Sequence, residues 1–167
     1  MAERKLSADE VRRLYDQHGP ALVMYACSIV ADSAAAEDAV HQIFLRLLQG
    51  DIPVPGVPGA YLYRAVRNAA LNSRRNGKRS VSLEEQPVRA KSLFQHSDEN
   101  PEAALALQAA RLELPEEQRE VVVLRIWSGM TLEEAANLCG ITTNTAASRY
   151  RYALEKLRER LKPFQKG

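Results

Sequence analysis

The sequence predicts an all-α protein: two small helical domains joined by a flexible linker, the second containing a helix-turn-helix. Three observations carry this. Apolar residues recur at helical spacing in nearly every segment, and none alternates with the period of two expected of a half-buried strand. Six of the ten residues in "GDIPVPGVPG" (50–59) are glycine or proline, which interrupts regular structure. Residues 80–100 carry scattered charges but no apolar stripe, and end in "HSDEN", so they read as linker. The predicted domains are therefore 1–79 and 101–167, a division that 167 residues can accommodate.

Each element has a local reason. Ser7, with Glu10 three residues on, forms a capping box for a first helix that turns Val11, Leu14 and Tyr15 inward. Gly19-Pro20 is expected to break that helix and start another, with Leu22, Tyr25, Ala26 and Ile29 inward. Ser33 is the expected cap of a third, whose core stripe is Ala36, Val40, Ile43, Phe44 and Leu47. Beyond the Gly/Pro loop, "YLYRAVRNAALNSRRNGKR" (61–79) reads as a fourth, with Leu62, Val66, Ala69 and Ala70 toward a core. Pro101 suits the first turn of the next helix. Pro115 opens one with acids in its first turn, and Gly129 fits just past its end.

The formal net charge of +2 conceals an alternation. Residues 1–51 carry five Lys/Arg against eight Asp/Glu, and residues 52–83 carry six against none. Residues 84–120 carry four against nine, and residues 121–167 eight against four. Two basic blocks separated by an acidic one suggest two contact surfaces for a polyanion.

The second basic block contains the helix-turn-helix spacing. Thr131 and Glu134 make a capping box, and Leu132, Ala135, Ala136 and Leu138 form a buried face. Gly140 supplies the turn, Ile141 packs inward, and Thr142 caps the next helix. That helix starts with short polar side chains (Thr143, Asn144, Thr145, Ser148) that can approach base edges. It continues with Arg149, Arg151 and Tyr152, and arginine can reach guanine or phosphate. Such a pattern also fits an ordinary helical hairpin with a polar end.

The first basic block asks for a different ligand. Arg64, Arg67, Asn68, Arg74, Arg75 and Lys78 fall on one broad side of a helix. A duplex binder has little use for Tyr61 and Tyr63 at its entrance, whereas unstacked bases can lie on aromatic rings while cations hold the backbone. Each tyrosine can equally be a core residue at a helix start. Asn68 and Asn72, one turn apart, offer paired donors and acceptors to base edges. The Gly/Pro loop could wall a pocket for one flipped base.

Other classes find little support. Cys27 and Cys139 lie far apart with no CxxC partner and read as reduced core cysteines. His18, His41 and His96 have no metal-ligand spacing, and no nucleophile motif or Gly-rich phosphate loop occurs, so neither metal, cofactor, small-molecule substrate nor catalytic residue is expected. No run approaches a membrane span, and the first residues lack a signal-peptide core, which implies a cytoplasmic protein. Two readings remain: a factor that opens promoters, and a stand-alone helix-turn-helix regulator that binds duplex only.

"AEDAVHQIFLRLL", "YLYRAVRNAALNSRR", "LPEEQREVVVLR" and "MTLEEAANLCGIT", followed by "TAASRYRYALEKLR", resemble the successive blocks of bacterial extracytoplasmic-function (ECF) RNA polymerase sigma factors. The resemblance covers both domains in order. It implies a sigma region 2 whose exposed Asp38, Gln42, Leu45 and Arg46 dock on the β′ clamp of core polymerase. It implies that loop 50–59, Tyr61, Asn68 and Asn72 read a melted −10 element while Arg64, Arg67, Arg74, Arg75 and Lys78 grip backbone. Region 4 would touch the β flap and read a −35 duplex through Arg125 and the helix from Thr143. An anti-sigma partner is expected by the same analogy, with no sensory domain after Leu161. The chain departs from the family pattern at His41 and Gln42 (Gln then an acid), at Ala147 (a basic residue) and at Tyr61 (tryptophan).

Overall fold

A computed structural model describes residues 5–30, 32–50, 58–76 and 101–164. The chain divides into two compact units, Met1–Val88 and Arg89–Gly167. The expected linker at 80–100, most of the Gly/Pro loop and Lys78 lie outside the described residues.

The first unit is built on three helices, α1 (Ala8–Ile29), α2 (Ser33–Gln49) and α3 (Pro58–Asn76), each packed on the other two. Ser7 caps α1 as expected: its hydroxyl accepts from the Glu10 N–H at 3.2 Å, and the Glu10 carboxylate accepts from the Ser7 N–H at 2.8 Å. The expected break at Gly19-Pro20 does not occur, and α1 runs through Pro20. An internal proline costs a helix about 3 kcal/mol. Breaking α1 would undo more: Val11 before the proline and Leu22, Met24, Tyr25 and Ala26 after it are all buried. Each large apolar side chain so buried contributes about 1.5–3 kcal/mol.

Two further boundaries differ from expectation. Asp32, not Ser33, caps α2, accepting from the Ala34 N–H at 3.0 Å. Adjacent Asx and Ser residues are both competent caps, and the turn geometry selects between them. Pro58 and Gly59, expected to be loop, open α3, because proline tolerates a first helical turn. The expected stripe Ala36, Val40, Ile43, Phe44 and Leu47 is buried, as are Leu62, Val66 and Ala70 from α3, while Ala69 is half-buried. A Cβ on Gly59 would stand 3.7 Å from the ring of His18, whose pKa burial pushes below its ordinary value.

The second unit centres on a long helix. α4 (Pro101–Glu113), α5 (Glu116–Val122) and α6 (Leu132–Cys139) all pack on α7 (Thr143–Leu161). Ala110, Leu114, Val122, Ala153 and Leu157 form a buried cluster, with Leu107, Trp127 and Tyr150 packed against it. Pro115 takes the capping position of α5 and the helix begins one residue later. Arg119 reaches back to donate to the Leu112 and Leu114 carbonyls at 3.0 and 2.9 Å, satisfying acceptors where α4 ends. Burial lowers its pKa and Glu116 opposes that shift. α5 continues as a π-helical turn over Val123–Trp127, closed by Gly129 at φ +69°.

Candidate nucleic-acid interface

α3 presents three sides. Its buried side carries Leu62, Tyr63, Val66 and Ala70. Tyr63 is 4% exposed and lies 5.6 Å from the Tyr25 ring, so of the two tyrosines this one belongs to the core. A second side faces α2 across a groove of about 800 Å³. Tyr61, Arg64, Asn68, Asn72 and Asn76 line it from α3; Asp38, Gln42 and Arg46 line it from α2. The asparagines sit four residues apart, so their carboxamides form one row along the helix. Tyr61 is half-buried at this edge, and Arg64, Asn68 and Asn72 are exposed. The third side carries Arg67, half-buried, and Arg74; neither these nor Arg75, which falls about 20° from Asn68 around the helix, lines the groove. No acid occurs on α3.

Of the four residues the sequence grouped on the exposed side of α2, Asp38, Gln42 and Arg46 line this groove and Leu45 a neighbouring one. Leu45, about 60° around α2 from Gln42 and about 20° from Asp38, borders a second groove, of about 570 Å³ against α1. Its neighbours there include Tyr15, His41, Phe44 and Leu48. Tyr15 meets Phe44 edge-on at 5.1 Å, and its hydroxyl lies 3.3 Å from His41 Nε2. Leu45 and Leu48 are each 53% exposed and Tyr15 is 39% exposed, which makes an apolar patch. Tyr15 was expected inward. Leu48 escaped sequence reasoning, although its place three residues after Leu45 put it on the same face.

The helix-turn-helix forms as its spacing predicts. Thr131 accepts from the Glu134 N–H at 3.1 Å, and Glu134 accepts from the Thr131 N–H at 3.2 Å. Of the expected buried face, Ala135 and Ala136 are buried while Leu132, Leu138 and Ile141 are only half-buried, and Gly140 turns the chain at φ +70°. Thr142 caps α7, accepting from the Thr145 N–H at 3.1 Å while its own hydroxyl donates to Thr145 Oγ1 at 2.8 Å. Thr145 is thereby partly engaged in the cap, whereas Thr143 and Asn144 are exposed. Nothing lies within 4 Å of a Cβ built on Gly140. Gly140→Ala should therefore carry only the left-handed backbone penalty, about 1–2 kcal/mol. Urea unfolding followed through Trp127, the single tryptophan, checks this; an unchanged midpoint contradicts it.

The basic residues of this motif have distinct settings. Arg149 is half-buried and 3.8 Å from Glu117 of α5. Arg151 is exposed, its guanidinium 5.3 Å from the Tyr152 ring centroid. Ser148 is half-buried. Arg125 is exposed at the π-helical turn and donates to the Met130 carbonyl at 3.3 Å, which fixes it beside the start of α6. Among the described residues no group of three or more His, Cys, Asp or Glu could hold a metal ion. No helix among them is long and apolar enough to cross a membrane.

Comparison with known proteins joins these surfaces. The family model for sigma-70 region 2 matches residues 14–80, and that for sigma-70, region 4 matches residues 112–159. The chain is 30% identical to ECF RNA polymerase sigma factor SigL of Mycobacterium tuberculosis (strain H37Rv) over 156 residues, 89% of this chain and 86% of the relative. It is 32% identical over 142 residues to ECF RNA polymerase sigma factor EcfG of Rhodopseudomonas palustris (strain TIE-1), covering 83% and 77%. Its fold is similar to that of the sigma factor RpoE, solved in complex with the anti-sigma factor NepR from Bartonella quintana. That likeness has a TM-score of 0.65 at 23% identity, over 93% of this chain and 98% of the other.

Proposed function

Because the chain belongs to the ECF RNA polymerase sigma factors of the sigma-70 family, we propose a division of labour among the surfaces just described. The protein is a transcription initiation factor that binds core RNA polymerase and directs it to promoters. Residues 1–79 act as region 2, residues 80–100 as the connection, and residues 101–167 as region 4. The connection crosses the polymerase toward its RNA exit path, where acidic residues mimic nucleic acid.

One observation carries the reading of region 2: a row of carboxamides lies beside cations on an acid-free helix, with Tyr61 at its edge. Amides pair with base edges, guanidinium groups hold phosphates, and an aromatic ring stacks an unpaired base at about 1–3 kcal/mol. These are the needs of a −10 strand that has left its partner. α7 reads the −35 duplex from its N-terminal end, with Thr143 and Asn144 toward bases and Arg125, Arg149 and Arg151 toward phosphate. The apolar groove around Leu45 and Leu48 seats the β′ clamp, and region 4 meets the β flap.

The factor contributes recognition and strand capture, and the polymerase supplies the chemistry; we assign it no enzymatic step. It works in the cytoplasm beside that polymerase. An anti-sigma partner fits the same surfaces, since a protein covering both basic faces would silence the factor. A duplex-only regulator would leave the α2/α3 groove without a task. Run-off transcription with purified core polymerase on randomised promoter templates tests the proposal. Factor-dependent transcripts sharing one −10 and one −35 motif support it, and a chain that binds duplex but never polymerase overturns it.

A further inference from the structure

We propose that Tyr15, on α1, and His41, on α2, act as one unit in docking the clamp of core polymerase, with Tyr15 fixing which imidazole nitrogen meets the partner. This deepens the proposed function and rests on it. Two exposed rows line the α1/α2 groove of about 570 Å³: Ala8, Arg12 and Tyr15 from α1, and His41, Leu45 and Leu48 from α2. Each row repeats at i, i+4 and i+7, so the groove follows both helices for two turns, about 10 Å. That is a seat for the edge of a partner helix. Its charge argues against nucleic acid: one cation, Arg12, and one acid, Asp9, line it, whereas a phosphate backbone calls for several unopposed cations.

Packing sets the direction of the Tyr15 ring. It meets Phe44 edge-on at 5.1 Å, and its Cδ2 would stand 3.4 Å from a Cβ on Gly19. The hydroxyl then lies 3.3 Å from His41 Nε2, with the two ring centroids 6.1 Å apart. A phenol hydroxyl donates to a neutral imidazole, and the nitrogen that accepts leaves the ring proton on the other. The pair therefore holds the His41 proton on Nδ1. Because His41 is exposed, that N–H is offered to the partner as a donor. The docking helix thus carries an apolar row for Leu45 and Leu48, and a carbonyl or carboxylate acceptor where it passes His41.

The test titrates full-length factor with core polymerase for Tyr15→Phe, His41→Ala, His41→Gln and the double variant Tyr15→Phe/His41→Ala, with urea unfolding alongside. Tyr15→Phe removes the hydroxyl and keeps the ring on Phe44. It should weaken assembly about three- to tenfold with little change in the unfolding midpoint. In the His41→Ala background the same change should cost nothing further, a coupling in binding that a merely structural tyrosine does not produce. His41→Gln, whose carboxamide also accepts and donates, should recover most of what His41→Ala loses. Nitrogen NMR of the free factor should find the neutral His41 ring protonated at Nδ1, and Tyr15→Phe should move that proton to Nε2. Assembly of Tyr15→Phe at wild-type strength, losses that add across the two positions, or a wild-type ring protonated at Nε2 would each overturn the inference. So would a loss confined to bubble binding after assembly, which would make this groove a nucleic-acid seat. A wild-type factor that never assembles with polymerase places the failure in the proposed function instead.

Discussion

Replacing Leu45 by aspartate is expected to weaken assembly with core polymerase about 30- to 1000-fold while leaving the fold intact. Leu45 is 53% exposed, so in the free protein the new carboxylate sits in water and α2 loses little. On the proposed docking the same position is covered in the complex. Removing a central apolar anchor and desolvating a charge in its place costs about 2–4 kcal/mol. Leu45→Ala should give a smaller effect, because it shortens the side chain without introducing charge. Titrating labelled factor with core polymerase, with circular dichroism as the folding control, gives the answer. Full assembly by the Leu45→Asp variant would remove the clamp from the α1/α2 groove.

Changing Arg74 and Arg75 together to alanine should lower open-complex formation about 10- to 100-fold at low salt and flatten its salt dependence. Both are exposed in the last turn of α3. Each phosphate neutralised on a single strand contributes about 0.7 to the slope of log affinity against log salt, so removing both guanidinium groups reduces it by about 1.4. Cations there also favour the helix dipole, at about 0.3–1 kcal/mol each, so some loss of stability accompanies the change. Arg13→Ala, exposed on α1, removes charge without touching either groove and should leave the slope unchanged. Equal slopes for all variants would assign the α3 arginines to solvent.

Caps and core stripes were legible because they depend on neighbours in sequence. Ser7 with Glu10, Thr131 with Glu134, and the apolar stripe along α2 each specify a local geometry that survives packing. Pro20 was misleading because a proline's local cost is visible in sequence, while the burial on both sides of it is not. Tyr61 and Tyr63 looked alike, yet two residues on a helix are about 200° apart, which sends one into the core against Tyr25 and leaves the other at the groove edge. The same limit applied to α2. Gln42, Leu45 and Arg46 are all exposed, and only the positions of α1 and α3 reveal that two different grooves divide them. Arg149 gave no hint of its half-buried setting near Glu117, an acid on another helix.

The most direct measurement places a photo-crosslinking benzophenone side chain at Asn68 and irradiates the polymerase-bound factor on a template with a pre-melted −10 bubble. Adducts should form with unpaired bases of one strand and fade when the bubble is closed. Adducts only with paired DNA, or only with the polymerase clamp, would contradict the claim that this side of α3 captures bases freed from their duplex.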